Sequence, residues 1–186
     1  DTRLAETPWG EIVQEVAGRL GRLDGQYALP LGRPGVGADE AFALAEEAEL
    51  AGDLATAERW YRVAAALDRT DPVIPFNLGN VLDSSDRRDE ARLAYGQALG
   101  RDPAFAEAWL NLAALHEGGG RVREAVEAYE AALRARPDYP EALSNLAILL
   151  TRQEEYAAAL LLWERYLALE PRPADAGKAR RLALLC

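Results

Sequence analysis

The chain has 186 residues, 49% of them hydrophobic, which is enough apolar side chain to bury a core, so disorder throughout is not expected. Its 31 acidic against 21 basic residues leave a formal charge of −10; this repels phosphate backbones, no lysine- or arginine-rich stretch offsets it, and direct nucleic-acid binding is not expected. No run of about 18 apolar residues suits a membrane span, no secretory leader pattern opens the chain, and the lone Cys186 cannot close an internal disulfide, which fits a reducing compartment such as the cytoplasm.

In chain order, residues 1–37 read as an extension and linker. Trp9, Ile12, Val13, Val16 and Leu20 follow helical spacing, but Gly18 and Gly21 interrupt it, and a hairpin about Asp24-Gly25 is the rival reading. Leu29 to Gly37 is rich in proline and glycine and reads as a linker. The chain contains no methionine, even at its first position, so a processed or excised piece is expected.

From Ala38 onward the sequence repeats itself with a period of 34 residues: Ala57, Ala91, Ala125 and Ala159 coincide, as do Tyr61, Tyr95, Tyr129 and Trp163. Leu44, Leu78, Leu112 and Leu146 form another column, followed by Ala45, Gly79, Ala113 and Ala147, and Pro103, Pro137 and Pro171 keep the same step. Small residues at two such columns allow paired helices to approach closely, and an aromatic four places after the second-helix alanine shares its face. The pattern predicts helix pairs near 39–50 and 55–68, 73–84 and 88–100, 106–117 and 122–135, and 140–151 and 155–169. Gly52-Asp53, Ser84-Ser85-Asp86 and Gly118-Gly119-Gly120 supply turn chemistry within three pairs, whereas Arg152-Gln153 in the fourth does not. Pro75 falls in a first helical turn, where a missing N–H costs nothing. Ala174 to Leu185 reads as a capping helix, with Leu182 and Leu185 facing the stack and Lys178, Arg180 and Arg181 facing water.

The stretch Phe105 to Pro137, FAEAWLNLAALHEGGGRVREAVEAYEAALRARP, resembles the consensus of the tetratricopeptide repeat family. The resemblance implies an all-α, right-handed α-solenoid of four helix-turn-helix repeats, at 38–71, 72–105, 106–139 and 140–173, with residues 174–186 as the cap. Arg69 stands where the first unit would carry its closing proline, so that unit's second helix is expected to run to Asp68 or beyond. The family lines an inner groove with the first helix of each unit. By resemblance the lining here is Asp39, Phe42, Ala43, Glu46 and Glu49, then Phe76, Asn77, Asn80 and Asp83. Glu107, Leu110, Asn111, Ala114 and Glu117 continue it, followed by Glu141, Ser144, Asn145, Ile148 and Arg152. Family members that clamp the carboxylate terminus of chaperones need lysine and arginine in this groove; acids, amides and apolar groups stand here, so a clamp of that kind is not expected.

Catalytic chemistry is not expected. His116, the single histidine, occupies a packing position; Cys186 has no histidine or second cysteine near it in sequence; the glycine triplet follows a helix and lacks the lysine of a phosphate loop; and the carboxylate pairs lie at no metal-ligand spacing. Neither cofactor nor metal is implied. Asn77, Asn111 and Asn145 recur one period apart, and an amide matches the donor and acceptor of a peptide backbone, so they form a potential ladder, with Asn80 a further binding candidate beside them. Glu107, Glu117, Glu141 and Asp83 favour a basic ligand, and Phe76, Leu110 and Ile148 an apolar anchor. The expected function is an adaptor that takes an extended, neutral-to-basic segment of a protein or peptide partner. The alternative is an assembly or regulatory region of a longer bacterial protein, using its outer face or its ends, with self-association among its modes. For that alternative, Asp24 to Gly32, DGQYALPLG, resembles the join before the repeats in certain regulators of the mercury-resistance type.

Overall fold

A computed structural model describes residues 36–169 and 173–185. Among them the regular structure is helical throughout: α1 Ala38–Leu50, α2 Leu54–Leu67, α3 Val73–Ser84, α4 Arg88–Arg101, α5 Ala106–Gly118, α6 Val122–Ala135, α7 Pro140–Arg152, α8 Tyr156–Ala168 and α9 Pro173–Ala183. Each helix packs mainly on its neighbours in sequence, tightly within the pairs α1/α2, α3/α4, α5/α6 and α7/α8 and more lightly from one pair to the next, so the helices form a single file. The expected extension, hairpin and regulator-like join lie outside the described residues.

The columns of the sequence are the seams of this file. Ala57, Ala91, Ala125 and Ala159 are fully buried, as are Ala45, Ala113 and Ala147 on the facing helices. Gly79 takes the facing place in the second pair, where a Cβ would lie 2.5 Å from Tyr95 Cε1; there the ring lies directly against the helix backbone. Tyr61, Tyr95, Tyr129 and Trp163 are buried behind these crossings.

Turns and caps set the lengths. Gly52, Asp86, Gly120 and Glu154, one period apart, all adopt left-handed backbone with φ of 76°, 57°, 71° and 64°. The turn that lacks turn-forming residues therefore has the same shape as the rest. Asp53 caps α2 by accepting the Thr56 N–H at 3.0 Å. At its other end α2 stops at Leu67 and does not run through Asp68. Asp68 is extended, and its carboxylate accepts the Thr70 N–H and hydroxyl, both at 2.7 Å, so side-chain bonding replaces the missing proline as terminator.

α9 packs on α8 as each first helix packs on the second helix before it. Ala176 and Ala179 face the stack, Lys178, Arg180 and Arg181 face water as expected, and Leu182 is half-buried. Leu185, expected to face the stack, is 68% exposed because α9 ends at Ala183.

Candidate interaction groove

The first helices α1, α3, α5 and α7 carry the residues that the sequence points to, and their placement starts from the buried tyrosines. Tyr61 Oη donates to Glu49 Oε2 at 2.8 Å, and Tyr129 Oη donates to Glu117 Oε2 at 3.0 Å, each within its own pair. In the second pair Tyr95 Oη donates instead to Asn80 Oδ1 at 2.9 Å. The next pair then supplies an amide to each hydroxyl. The Asn77 amide lies beside the Tyr61 hydroxyl and the Asn145 amide beside that of Tyr129, while Asn111 Nδ2 lies 3.4 Å from Tyr95 Oη and donates to Asn80 Oδ1 at 2.9 Å. Burial foremost raises the pKa of all three tyrosines, so each stays a neutral donor.

The recurrent asparagines thus bring an amide from the next pair to hydroxyls that already donate within their own pair. Asn111 gives its amide hydrogens to this network, and the Asn80 carbonyl accepts two bonds. Trp163, the fourth member of the aromatic column, has no such partner: one period after Asn145 stands Ala179, and the buried Trp163 Nε1 makes no hydrogen bond.

Charge along this face is uneven. Glu107 is ion-paired with Arg136, whose guanidinium also stacks over Tyr139 at 4.6 Å, and Glu117 with Arg152 at 2.8 Å. Asp39, Glu46, Asp83 and Glu141 are exposed and have no ion pair among the described residues. Three of these four belong to the first two pairs, so the acidic field is concentrated there. Between the charges run half-buried apolar groups. Phe42 stands edge-on to Tyr61 with centroids 5.6 Å apart, Phe76 packs 4.8 Å from Phe105 and 5.9 Å from Tyr95, and Leu110 and Ile148 continue toward the last pair.

Sequence reasoning missed the tyrosine hydroxyls as the first claim on the asparagines, although the signal is present. Glu49 and Glu117 each precede their tyrosine by 12 residues, and Asn77, Asn111 and Asn145 each follow theirs by 16. It also missed Arg136 as the partner of Glu107. His116 is half-buried, and its Nδ1 accepts from Arg121 Nε at 2.9 Å, so the neutral ring carries its proton on Nε2. No group of histidine, cysteine and carboxylates among the described residues is placed to hold a metal. No helix of the described residues is long and apolar enough to cross a membrane.

The tetratricopeptide repeat profile matches residues 76–140 and 115–177, more than half of the chain and across the seams described above. The chain belongs to the tetratricopeptide repeat family. No curated protein matches the chain. Among solved structures, the crystal structure of MamA is similar with a TM-score of 0.70 at 17% identity, over 78% of each chain. PilF of Pseudomonas aeruginosa is similar with a TM-score of 0.69 at 23% identity, over 94% of this chain and 86% of that one. The first tetratricopeptide repeat region of Spaghetti (RPAP3), bound to the HSP90 peptide SRMEEVD, gives 0.60 at 19% identity, over 63% of this chain and 93% of that one. At these identities the likeness is one of fold: an all-α tetratricopeptide solenoid, whose inner groove is the face of α1, α3, α5 and α7. Proteins of this family are in general non-catalytic scaffolds for protein-protein interaction.

Proposed function

We propose that this chain is a non-catalytic cytoplasmic adaptor whose inner groove takes an extended, neutral-to-basic segment of a partner protein. One observation carries the reading: a strip of half-buried apolar groups, Phe42, Phe76, Leu110 and Ile148, is flanked by acids left unpaired at its first end. An apolar anchor gains by leaving water on that strip, and a lysine or arginine beside it meets Glu46 or Asp83. Spaghetti holds an acidic peptide; an acidic ligand here would meet like charge at Asp39, Glu46, Asp83 and Glu141. Asn80 adds amide donors for a backbone carbonyl, while Asn77, Asn111 and Asn145 hold the groove in shape.

Selection of peptides from a random library on the immobilised full chain tests this. Enrichment of sequences that pair lysine or arginine with one large apolar residue is the expected outcome, and binding should weaken with added salt. Enrichment of acidic sequences would overturn the charge assignment.

A further inference from the structure

The second helices of the last two pairs leave a cleft on the side away from the groove. It lies between α6 and α8 over α7 and has a volume of about 840 Å³. Leu133, Leu146 and Leu162 form its buried floor, and Leu161 stands 63% exposed on one wall. That wall is apolar because α8 departs from the repeat. Arg123, Glu124 and Glu127 are exposed on α6; one period later the equivalent places on α8 hold Ala157, Ala158 and Leu161, which are exposed as well. A helix face that only meets water gains nothing from losing three charges, whereas the centre of an interface does, because charged groups are costly to desolvate there.

The charges on the rim point to the occupant. Glu130 and Arg134 stand on the α6 side and Glu164 and Arg165 on the α8 side, all four exposed, so the cleft is locally neutral on a chain of net charge −10. A second copy can therefore approach here without the repulsion that an acidic surface imposes. Arg134 lies 4.0 Å from Glu130, a loose pair that both can leave, and Arg165 gives one N–H to the Pro137 carbonyl at 2.7 Å and keeps four others. Glu164 follows Glu130 by one period, so two copies meeting with their α8 helices parallel would set like charges face to face. Turned antiparallel about a two-fold axis, Glu130 of each copy comes to Arg165 of the other, and Arg134 to Glu164. The same operation carries each Leu161 into the other copy's cleft. Ridge and trough lie side by side on one face, as a self-complementary contact requires.

We propose that the cleft between α6 and α8 is a homodimer contact, in which the α8 helices of two copies cross antiparallel and each Leu161 enters the cleft of the other. The contact uses second helices and the inner groove uses first helices, so dimerisation leaves both grooves open and does not depend on what they bind. Sedimentation of the full chain, with no ligand added, tests this. The weight-average mass should rise from 20.3 kDa toward twice that between roughly 1 µM and 1 mM, the range of a small interface. Leu161→Glu should abolish the rise while leaving the circular-dichroism melt unchanged, because that side chain is largely exposed. Arg134→Glu and Glu164→Arg should each weaken self-association about 2- to 30-fold, since each removes two symmetry-related charge contacts. An equimolar mixture of these two variants should restore it, because the acidic α6 wall of one then meets the basic α8 wall of the other. A wild type that stays monomeric across the range, as it would if another protein or another part of the chain filled the cleft, overturns the proposal. So does a dimer that survives Leu161→Glu, or a mixture that associates no better than either charge variant alone.

Discussion

At the scale of single residues, the four left-handed turn positions are chemically unequal. Gly52 and Gly120 adopt positive φ without penalty, whereas Glu154 holds φ 64° with a Cβ, at a cost of about 1–2 kcal/mol. Glu154→Gly is therefore expected to raise stability by about 1 kcal/mol, read as a higher urea midpoint at unchanged slope; a lower midpoint would mean that the glutamate makes a compensating contact. This turn was illegible in the sequence because its shape is imposed by the two helices that meet there and not by its own residues. His116 gives a second residue-scale test. Burial, and next the Arg121 guanidinium, hold its pKa below the ordinary value, with Arg92 acting the same way and Glu124 opposing. A base whose folded pKa is depressed binds fewer protons folded than unfolded, so its contribution is intact above about pH 6.5 and is lost as pH falls through the folded pKa. Between about pH 7 and pH 5 the wild type should lose more stability than His116→Gln, as thermal midpoints across that range would show. Parallel losses would mean that the ring is not desolvated.

At the scale of elements, small residues matter where they lie on a seam and not elsewhere. Gly79 and Gly96 both sit within helices of the second pair, but a Cβ on Gly79 would collide with the Tyr95 ring, while one on Gly96 meets nothing within 4 Å. Gly79→Ala should cost about 1–3 kcal/mol through overpacking. Gly96→Ala should instead stabilise by about 0.5–1 kcal/mol, because alanine suits a helix better. Chemical denaturation of the two variants decides it, and equal effects would refute the seam assignment. The seams and helix limits were legible because each column has a fixed physical cause: small against small, aromatic behind alanine, proline after the last turn. The end of α2 was misjudged because its terminator is the carboxylate of Asp68, local hydrogen bonding that the proline column does not reveal. The asparagine column was read as free amides although each asparagine follows a column tyrosine by 16 residues, because that spacing marks a contact only once the stacking of one pair on the next is known. Trp163 shows the converse. Its column continues where the amide column stops at Ala179, and its indole N–H is left unsatisfied.

At the scale of the whole molecule, a net charge of −10 suggests a uniformly acidic groove, yet Arg136 and Arg152 neutralise Glu107 and Glu117 and leave the unpaired acids concentrated on the first two pairs. Those pairings could not be read from the sequence, because each joins residues about one repeat apart through side chains whose facing depends on the stacking of the helices. On the proposed function the groove has a direction: a cationic residue of the bound segment would lie over Glu46 or Asp83, and its apolar anchor on Phe76 or Leu110. The most direct test is calorimetric titration of one extended peptide, carrying a single lysine and a single leucine, into the wild type and into the Glu46→Gln/Asp83→Asn double variant. Loss of two exposed charge contacts at about 0.2–1 kcal/mol each should weaken binding about 2- to 30-fold in the double variant without altering its fold. Undiminished binding by the double variant would contradict the assignment of the inner groove as the site.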